Sequence, residues 1–413
     1  MQFNPRNSAF RANPYPVYHR LRIQDPIHYR QAKQDWLLTR YADMIALLND
    51  DRIDPRNDTD TAREIVENRP RVQVQAGMLP EAFLRLRQES EHLRRHWIIV
   101  THPPVHTRLR EVLRPFFSRN KIAVLQSWIQ QQAERLLDRA LASGELDIIH
   151  DFSSPLMSEA ICELLGIPVE DRKQLRPLAY ELSTSIDLDS PPTTDERGLF
   201  AFLKLARYFR SLIARLQSRI EPEDNLLKGM IRAHAQGHLS EDELLANSIF
   251  LFFTGHGAPQ HVIGNGMFAL LRHPDQLQLL QAEPALIGAA TDECLRYDCP
   301  GQYMIRRALD DIEFRGKTFK KGQKIVFLIG AANRDPDQFP EPDRFDIYRK
   351  PNKYLTFGYG MRYCMGAQLT RSAAQIGLET LIRRLPRIAL KTETLEWEES
   401  YRTHGLKSLP VTF

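Results

Sequence analysis

The sequence lacks the features of secreted, membrane-spanning and nucleic-acid-binding proteins. Its four cysteines, Cys162, Cys294, Cys299 and Cys364, have neither disulfide nor zinc spacing, which favours a reducing compartment. No apolar run is long enough to span a bilayer, and residues 1–18 are polar and contain prolines, so we expect no signal peptide and no membrane anchor. A net charge of +4 over 413 residues is too small to indicate nucleic-acid binding. These absences predict a cytoplasmic protein.

Helical periodicity dominates, and we expect a mainly α chain in which residues 1–413 form a single domain. No internal repeat, low-complexity segment or linker divides it. The stretch Asp50–Arg87 is predicted to be a long loop with short helical pieces, and Ser183–Arg197 a mobile connection. Apolar spacing predicts helices at Val17–Ile23, Tyr41–Asn49, Ile122–Ala142, Ser154–Leu165, Pro168–Leu182, Leu199–Arg219 and Glu241–Leu271, and strands at Ile27–Tyr29, Trp36–Thr39 and Met304–Ala308.

One cysteine lies in a glycine-rich loop that precedes a predicted helix. The loop runs from Phe357 to Gly366 and contains Gly358, Gly360 and Cys364. Glycines allow positive φ and close backbone approach, and backbone N–H groups at a helix N-terminus stabilise an anion such as a thiolate. A thiolate held in this way suits an axial ligand of haem iron, where electron donation from sulfur favours O–O cleavage. The alternative is a buried structural cysteine beside a tight turn.

The same loop resembles the cysteine-ligand loop of the cytochrome P-450 family, whose pattern is Phe-Gly-x-Gly-x-(His/Arg)-x-Cys-x-Gly. The resemblance extends over Asn13–Phe413 and is nearest to soluble bacterial members that tailor polyketides, fatty acyl chains or similar natural products. It implies the cytochrome P-450 fold, a large helical domain with a small β-rich portion. It also implies haem b as cofactor, Cys364 as the iron ligand, and monooxygenation driven by a ferredoxin or flavodoxin with its reductase.

Four cationic side chains are candidates for holding the haem propionates. His106 and Arg110 are four residues apart and share one helix face, a spacing that by itself is more typical of a solvated surface pair. The family uses this His-x-x-x-Arg as a propionate clamp, and Arg306 and Arg362 match two further propionate ligands. The resemblance therefore implies a cofactor site made of these four residues and Cys364.

A second family motif, Glu-x-x-Arg, predicts a structural brace for the cysteine loop. Glu293 and Arg296 are three residues apart on a predicted helix and so can pair. Together with Arg344, they are expected to form a buried network of three ionised side chains.

The long central helix departs from the family at its oxygen-binding groove, usually Ala-Gly-x-(Glu/Asp)-Thr. Thr254 takes the alanine position, Gly257 that of the acid and Ala258 that of the alcohol, so the pair that ordinarily relays protons to dioxygen is missing. Pro259 removes the hydrogen bond to the Gly255 carbonyl and clashes with that turn, so we expect a kinked helix.

Three interpretations of this departure stay open. Substrate hydroxyls and ordered water replace the relay, or a nearby side chain supplies the protons, or the reaction needs no relay, as in oxidative ring coupling. Among side chains, helix geometry places Gln260 and His261 one turn from Gly257, whereas His256 points elsewhere. Gly257, Ala258 and Gln260 are therefore the catalytic positions that we predict. A haem-binding sensor or a non-catalytic scaffold is a further alternative.

Substrate and partner surfaces follow from the resemblance. The substrate is expected to be a hydrophobic small molecule, free or bound to a carrier, and the basic residues Lys350 and Lys353 suggest a surface for an acidic redox protein. Phe253 and Thr254 flank the kink and are the stronger candidates for substrate contact on the central helix. The complete predicted pocket wall is Phe250, Phe253, Thr254, Gly257, Tyr303, Met304 and His404.

Overall fold

Helices dominate the computed structural model of the protein, which describes residues 3–54, 80–187, 192–218 and 225–413. Among these residues, no helix is both long and apolar enough to cross a bilayer. The helices are α1 (Ser8–Ala12), α2 (Tyr15–Gln24), α3 (Tyr41–Leu48), α4 (Pro80–Arg94), α5 (Val105–Leu113), α6 (Arg119–Ser143), α7 (Ser154–Leu165), α8 (Val169–Ser185), α9 (Pro192–Gln217), α10 (Leu226–Ala235), α11 (Glu241–His256), α12 (Ala258–Arg272), α13 (Pro274–Ala282), α14 (Ile287–Tyr297), α15 (Ile329–Ala332) and α16 (Ala367–Arg384).

The strands are short and form a small β portion. The largest sheet has the order β1-β2-β8-β5-β3, in which β2 and β8 are parallel and the other neighbours antiparallel. A second sheet has the order β4-β10-β9, and β6 pairs with β7. The strands are β1 (Ile27–Arg30), β2 (Asp35–Leu38), β3 (Ile53–Asp54), β4 (Leu146–Asp147), β5 (Tyr303–Ala308), β6 (Ile312–Phe314), β7 (Lys317–Phe319), β8 (Lys324–Leu328), β9 (Ala389–Leu390) and β10 (Pro410–Thr412).

The chain divides into two compact units. The first comprises Met1–Asp54, Arg119–Ala160 and Ala258–Phe413, and the second comprises Pro55–Ser118 and Ile161–Gly257. The first unit contains the sheets, with α16 packed on α6 and α14; the second contains α8, α9 and α11 packed together. The predicted organisation of residues 1–413 as a single domain stays a prediction.

The start of α11 and its interruption both follow from local sequence. The Ser240 hydroxyl accepts a hydrogen bond from the Glu243 amide at 3.1 Å, and the Glu243 carboxylate accepts from the Ser240 amide at 2.8 Å, which closes the helix N-terminus. Gly257 has ψ −101°, outside the helical range, and ends α11. Pro259, the second residue of α12, cannot donate to the turn before it. The predicted distortion is confirmed, and the predicted run Glu241–Leu271 is two helices.

Two predicted connections contain more helix than expected. Of the stretch Asp50–Arg87, residues 55–79 lie outside the described residues, but α4 already begins at Pro80 and is a regular helix of 15 residues. Of the segment Ser183–Arg197, residues 188–191 lie outside the described residues, while α8 continues to Ser185 and α9 begins at Pro192. The charged sequence of α4 concealed that helix because its apolar positions are few, whereas α9 was predicted from Leu199 onward and only its first turns were missed.

One carboxylate joins both ends of the chain. Asp298 accepts a hydrogen bond from the Tyr15 hydroxyl at 2.7 Å and lies 3.0 Å from Nε2 of His404. The Arg334 guanidinium lies between the rings of Tyr15 and Tyr297, at 3.6 and 3.7 Å from their centroids. Burial alone would raise the pKa of Asp298, but His404 and Tyr15 hold it below its usual value.

Candidate active site

Cys364 lies in a loop that backbone hydrogen bonds close on itself. Its amide donates to the Phe357 carbonyl at 2.9 Å, and the Gly358 amide donates to the Leu355 carbonyl at 2.8 Å. Gly358 and Gly360 have φ values of +75° and +69°, the left-handed region that side chains disfavour. The predicted loop is therefore confirmed, and α16 begins three residues after the cysteine. Cys364 is exposed, whereas the other three cysteines are buried.

Strand β5 lies against this loop through Met304. A Cβ atom at Gly358 would lie 3.7 Å from Met304 Cε and 3.8 Å from the Arg362 carbonyl, so the three residues meet at one point. Because side chains alternate along a strand, buried Arg306 shares a face with Met304. Tyr303 belongs to the other face, where its ring stacks on Tyr401 at a centroid distance of 5.1 Å. The structure thus brings Met304 and the cysteine loop together and turns Tyr303 away from them.

This donor set fits a thiolate-bound haem b. Cys364 is exposed in a loop that backbone hydrogen bonds close, and a Cβ at Gly366 would lie 3.9 Å from its sulfur. Arg362 lies two residues before the sulfur, and the guanidinium of Arg306 is buried on the strand face that meets the loop. Cations suit carboxylates such as the haem propionates. Burial raises the pKa of Tyr363, and the adjacent Cys364 adds to the rise.

A buried carboxylate braces the segment that leads into the cysteine loop. Glu293 and Arg296 have no exposed side-chain surface, and Nη2 and Nε of Arg296 donate to the two carboxylate oxygens at 2.7 and 2.8 Å. Glu293 also accepts from the Asp346 amide at 2.9 Å and from the Asn352 side chain at 3.1 Å. The predicted Glu-x-x-Arg pair is therefore a fully satisfied buried pair.

Arg349, and not Arg344, is the third ion of this network. Nε of Arg349 lies 3.2 Å from Glu293, and its side chain is buried. The Arg344 side chain is 60% exposed and pairs with Glu341, while its backbone carbonyl accepts from Arg296 at 3.3 Å. The prediction that the Arg344 side chain completes the network is wrong. The sequence motif locates this backbone near Arg296 but does not fix the direction of the side chain.

In the second unit, α5 carries the predicted propionate pair. His106 is buried and Arg110 is half-buried on the same helix, as the spacing predicts. Between them, Arg108 forms a two-pronged pair with Glu243 of α11 at 2.7 and 3.0 Å. This pair fixes α5 against α11, so the helix that carries His106 and Arg110 is firmly positioned. Their assignment to propionates stays a prediction.

Helix α11 contributes an aromatic wall. The Trp97 ring lies 5.5 Å from Phe250 and 5.3 Å from Phe253, between centroids. Phe253 is 2% exposed, whereas Phe250 and Thr254 are half-buried and share one face of the helix. Phe253 thus supports the wall from behind. The Thr254 hydroxyl donates to the Phe250 carbonyl at 2.7 Å.

The two glycines at the end of α11 are tightly enclosed. A Cβ at Gly255 would lie 2.4 Å from the Ile161 side chain, so this position excludes any larger residue. A Cβ at Gly257 would lie 2.5 Å from Oγ of Ser183 on α8. The Ser183 hydroxyl therefore occupies the place that a side chain at position 257 would take. Nothing in the local sequence of α8 indicates this contact.

The first unit contains Gln260 and His261, which the sequence places one helical turn from Gly257 as possible proton donors. The Gln260 side-chain nitrogen lies 3.2 Å from Nε2 of His261, and the Ser153 hydroxyl donates to the Gln260 carbonyl. Among the described residues, Nδ1 of His261 is one of the buried atoms without a hydrogen-bond partner, and its ring would meet a Cβ at Gly405. Burial lowers the pKa of His261 to about 3, so the ring is neutral at physiological pH.

His256 is held as a structural residue of α11. Its Nδ1 lies 2.7 Å from the Phe252 carbonyl, and its ring packs on Phe252 at 4.4 Å. Burial, with a smaller contribution from nearby Arg176, lowers the pKa of His256 to about 4 despite the hydrogen bond to the Phe252 carbonyl. This environment agrees with the prediction that His256 points away from the groove.

The sequence and the fold of this chain are both similar to those of known cytochromes P-450. The family model described as cytochrome P-450 matches residues 80–395. The biotin biosynthesis cytochrome P-450 of Bacillus subtilis (strain 168) is 32% identical over 98% of this chain and 98% of its own. The polyketide biosynthesis cytochrome P-450 PksS of the same organism is 33% identical over 100% and 98%. A solved cytochrome P-450 in complex with hexadec-9Z-enoic acid ligated acyl carrier protein has a TM-score of 0.87 at 32% identity, covering 98% of this chain and 100% of its own.

Proposed function

Because this chain belongs to the cytochrome P-450 family, and is therefore a monooxygenase that binds haem b, we propose that it hydroxylates or epoxidises a hydrophobic intermediate of a biosynthetic pathway. The proposal rests on one observation: nearly the whole chain is similar to relatives that are named for biotin and polyketide biosynthesis. The solved relative that holds a fatty acyl group on a carrier protein supports a long acyl chain, free or carrier-bound, as the first substrate class to test.

The residues would divide the work as follows. Bound haem b with a sulfur ligand supplies the activation of dioxygen. Cys364 would be the iron ligand, and the hydrogen bond from its amide to the Phe357 carbonyl would hold it in place. The proposed propionate ligands are His106, Arg110, Arg306 and Arg362.

Substrate would be positioned by apolar side chains of α11 and of β5. Phe250 and Thr254 offer a half-buried face of α11, backed by Phe253, and Met304 offers the face of β5 that meets the cysteine loop. These side chains exclude water and provide dispersion contacts along an alkyl chain. Tyr303 would act indirectly, since its ring is stacked on Tyr401.

Electrons are proposed to come from a ferredoxin or flavodoxin with its reductase. Lys350 and Lys353 are exposed and lie on the segment that leads into the cysteine loop, where an acidic redox protein would approach the sulfur ligand. We place this reaction in the cytoplasm, because none of the four cysteines, all of which lie in the described residues, forms a disulfide.

The substrate proposal predicts a selective change in the haem spectrum. Titration of the ferric holoprotein with acyl chains, acyl carrier conjugates and polyketides is expected to shift the iron spin state with long apolar compounds and not with short polar ones of the same head group.

Turnover with ferredoxin and reductase, scored as product against released peroxide, is expected to slow as salt rises because electrostatic steering is screened. If no compound shifts the spectrum or yields product while a small gas binds tightly, the sensor alternative replaces this proposal.

For proton delivery we propose the Ser183 hydroxyl, because it lies where the acidic side chain of the family is missing. Gly257 contributes no side chain, and Ser183 Oγ lies 2.5 Å from the position of its absent Cβ. A hydroxyl is both donor and acceptor, so it can pass a proton between water molecules. Gln260 is a second candidate, oriented by neutral His261. Ala258 supplies neither donor nor acceptor in its side chain.

Ser183→Ala is expected to lower the share of consumed electrons that appears in product by about tenfold, less than the roughly 10²–10⁴-fold that a positioned general acid or base contributes, because Gln260 remains as a second donor. Substrate-induced spin shift should change little, because the hydroxyl acts after binding. The matched control is Ser185→Ala on the same helix, whose hydroxyl donates to the Leu182 carbonyl at 2.8 Å. Equal coupling in both variants would reject Ser183, and a large gain from Gly257→Glu with Ala258→Thr would show that no other group had replaced the relay.

A further inference from the structure

A group of metal-ligating side chains lies in the second unit, apart from the residues assigned above. His92 is in the last turn of α4, His96 lies two residues beyond that helix, and Asp242 is in the first turn of α11. One ligand atom from each of the three lies within 4.8 Å of the others. Nε2 of His92 is 2.8 Å from Oδ2 of Asp242, and the two imidazole rings are 5.3 Å apart between centroids.

The backbone around this group is fixed by buried hydrogen bonds. Asn247 is 1% exposed; its side-chain nitrogen donates to the His96 carbonyl at 2.9 Å and its oxygen accepts from the Ile98 amide at 2.8 Å. The turn that carries Asp242 is closed by the reciprocal bonds of Ser240 and Glu243. The segment that carries His96 is therefore attached to α11, the helix that carries Asp242. A fixed backbone loses less conformational entropy when its side chains bind an ion.

The donor chemistry selects the class of ion. Two imidazoles and one carboxylate suit borderline divalent ions such as zinc, whereas calcium and magnesium prefer oxygen ligands alone. Tetrahedral zinc with bonds of ~2.0–2.1 Å needs ligand atoms ~3.3 Å apart, so the His92–Asp242 contact must open slightly. Both side chains are about half exposed, at 58% and 45%, which leaves room for this movement and for water as a fourth ligand.

We propose that His92, His96 and Asp242 form a binding site for a divalent transition-metal ion of the zinc class. The ion would tie the C-terminal end of α4 to the N-terminal end of α11. Trp97 follows His96 directly and packs on Phe250 and Phe253, so the same ion would also hold this aromatic wall in place.

Titration of chelator-treated holoprotein with zinc chloride tests the site. Calorimetry should give one tight equivalent, and excess zinc should raise the thermal unfolding midpoint because the ion binds the folded state. Loss of a direct ligand should weaken zinc by at least the roughly 10–100-fold that loss of an outer-shell partner costs. We expect this loss in the double variant His92→Ala/His96→Ala, and a smaller one in Asp242→Asn, which removes the charge and preserves the shape.

The control is His238→Ala, which removes another exposed histidine of the same unit and should retain the tight equivalent. The chain has 13 histidines, so weak background binding is expected in every variant. If the double variant does not fold, Asp242→Asn alone decides. Zinc affinity equal to that of the unaltered protein in the variants that fold, or equal binding of magnesium and zinc, would overturn the proposal.

Discussion

Replacement of Cys364 by serine is expected to abolish the red-shifted absorption band that thiolate-bound haem gives when the reduced protein binds carbon monoxide. A serine hydroxyl is a far weaker electron donor than a thiolate, so it cannot support O–O cleavage in the same way. Product formation should fall by several orders of magnitude, close to background. The loop should remain folded, because the hydrogen bond from residue 364 to the Phe357 carbonyl uses the backbone amide. Circular dichroism checks the fold, and the carbon monoxide difference spectrum checks the ligand.

Cys299→Ser is the matched control for this experiment. Cys299 is buried, and its thiol donates to the Gly301 carbonyl at 3.3 Å, a bond that a serine hydroxyl can also make. Burial raises the pKa of the Cys299 thiol to about 12, so it stays protonated. The band should survive in this variant. A Cys364→Ser protein that retains the band, or a Cys299→Ser protein that loses it, would contradict the proposed ligand.

Removal of the Glu293 carboxylate is expected to cost about 3–5 kcal/mol of the free energy of unfolding, the usual penalty for leaving a buried charge without its partner. Arg296 is 0% exposed and would lose both of its bonds to the carboxylate. Asp346, Arg349 and Asn352 would lose an acceptor on the segment that leads into the cysteine loop. Glu293→Ala should therefore also lower haem content. Denaturant unfolding and the ratio of haem to protein absorbance measure the two effects.

Arg344→Ala separates this network from the one that the sequence motif indicates. Its side chain is 60% exposed and pairs with Glu341 at 3.3 Å, an exposed contact. Surface pairs of this kind contribute roughly 0–1 kcal/mol, so the unfolding midpoint and haem content should barely change. Damage from Arg344→Ala as large as that from Glu293→Ala would mean that the network extends through the Arg344 side chain after all.

Much of the fold could be predicted because its strongest signals are local. Apolar spacing located α7 to the residue and β1 and β2 to within one residue, and a glycine and a proline located the interruption of the central helix. The cysteine loop was predictable for the same reason, since glycine is the residue type that adopts the positive φ found at Gly358 and Gly360 most readily. The helix α4 was not, because its charged sequence provides few apolar positions.

The contacts that depend on long-range packing could not be predicted. Arg349 reaches Glu293 from a turn in which its amide donates to the Asp346 carbonyl, and residue spacing does not encode that turn. Ser183 meets Gly257 because α8 packs on α11 at that point. The sequence of α8 does not show that one of its side chains occupies the space that a glycine leaves on α11. Alternation along β5 separates Tyr303 from Met304, but only the packing of the strand decides that the Met304 face meets the cysteine loop and the Tyr303 face meets Tyr401.

The carboxylate of Asp298 has a practical consequence for protein engineering. His404 is an obvious position to randomise when a new substrate is wanted, because the sequence predicts it in the pocket wall. Any replacement without a hydrogen-bond donor would deprive Asp298 of a partner at 3.0 Å and leave the charge to Tyr15 and to the Arg334 guanidinium stacked between two tyrosines. A library at position 404 would thus select for variants that restore the interactions of Asp298 as much as for catalysis. It should be built with residue 15 varied in parallel.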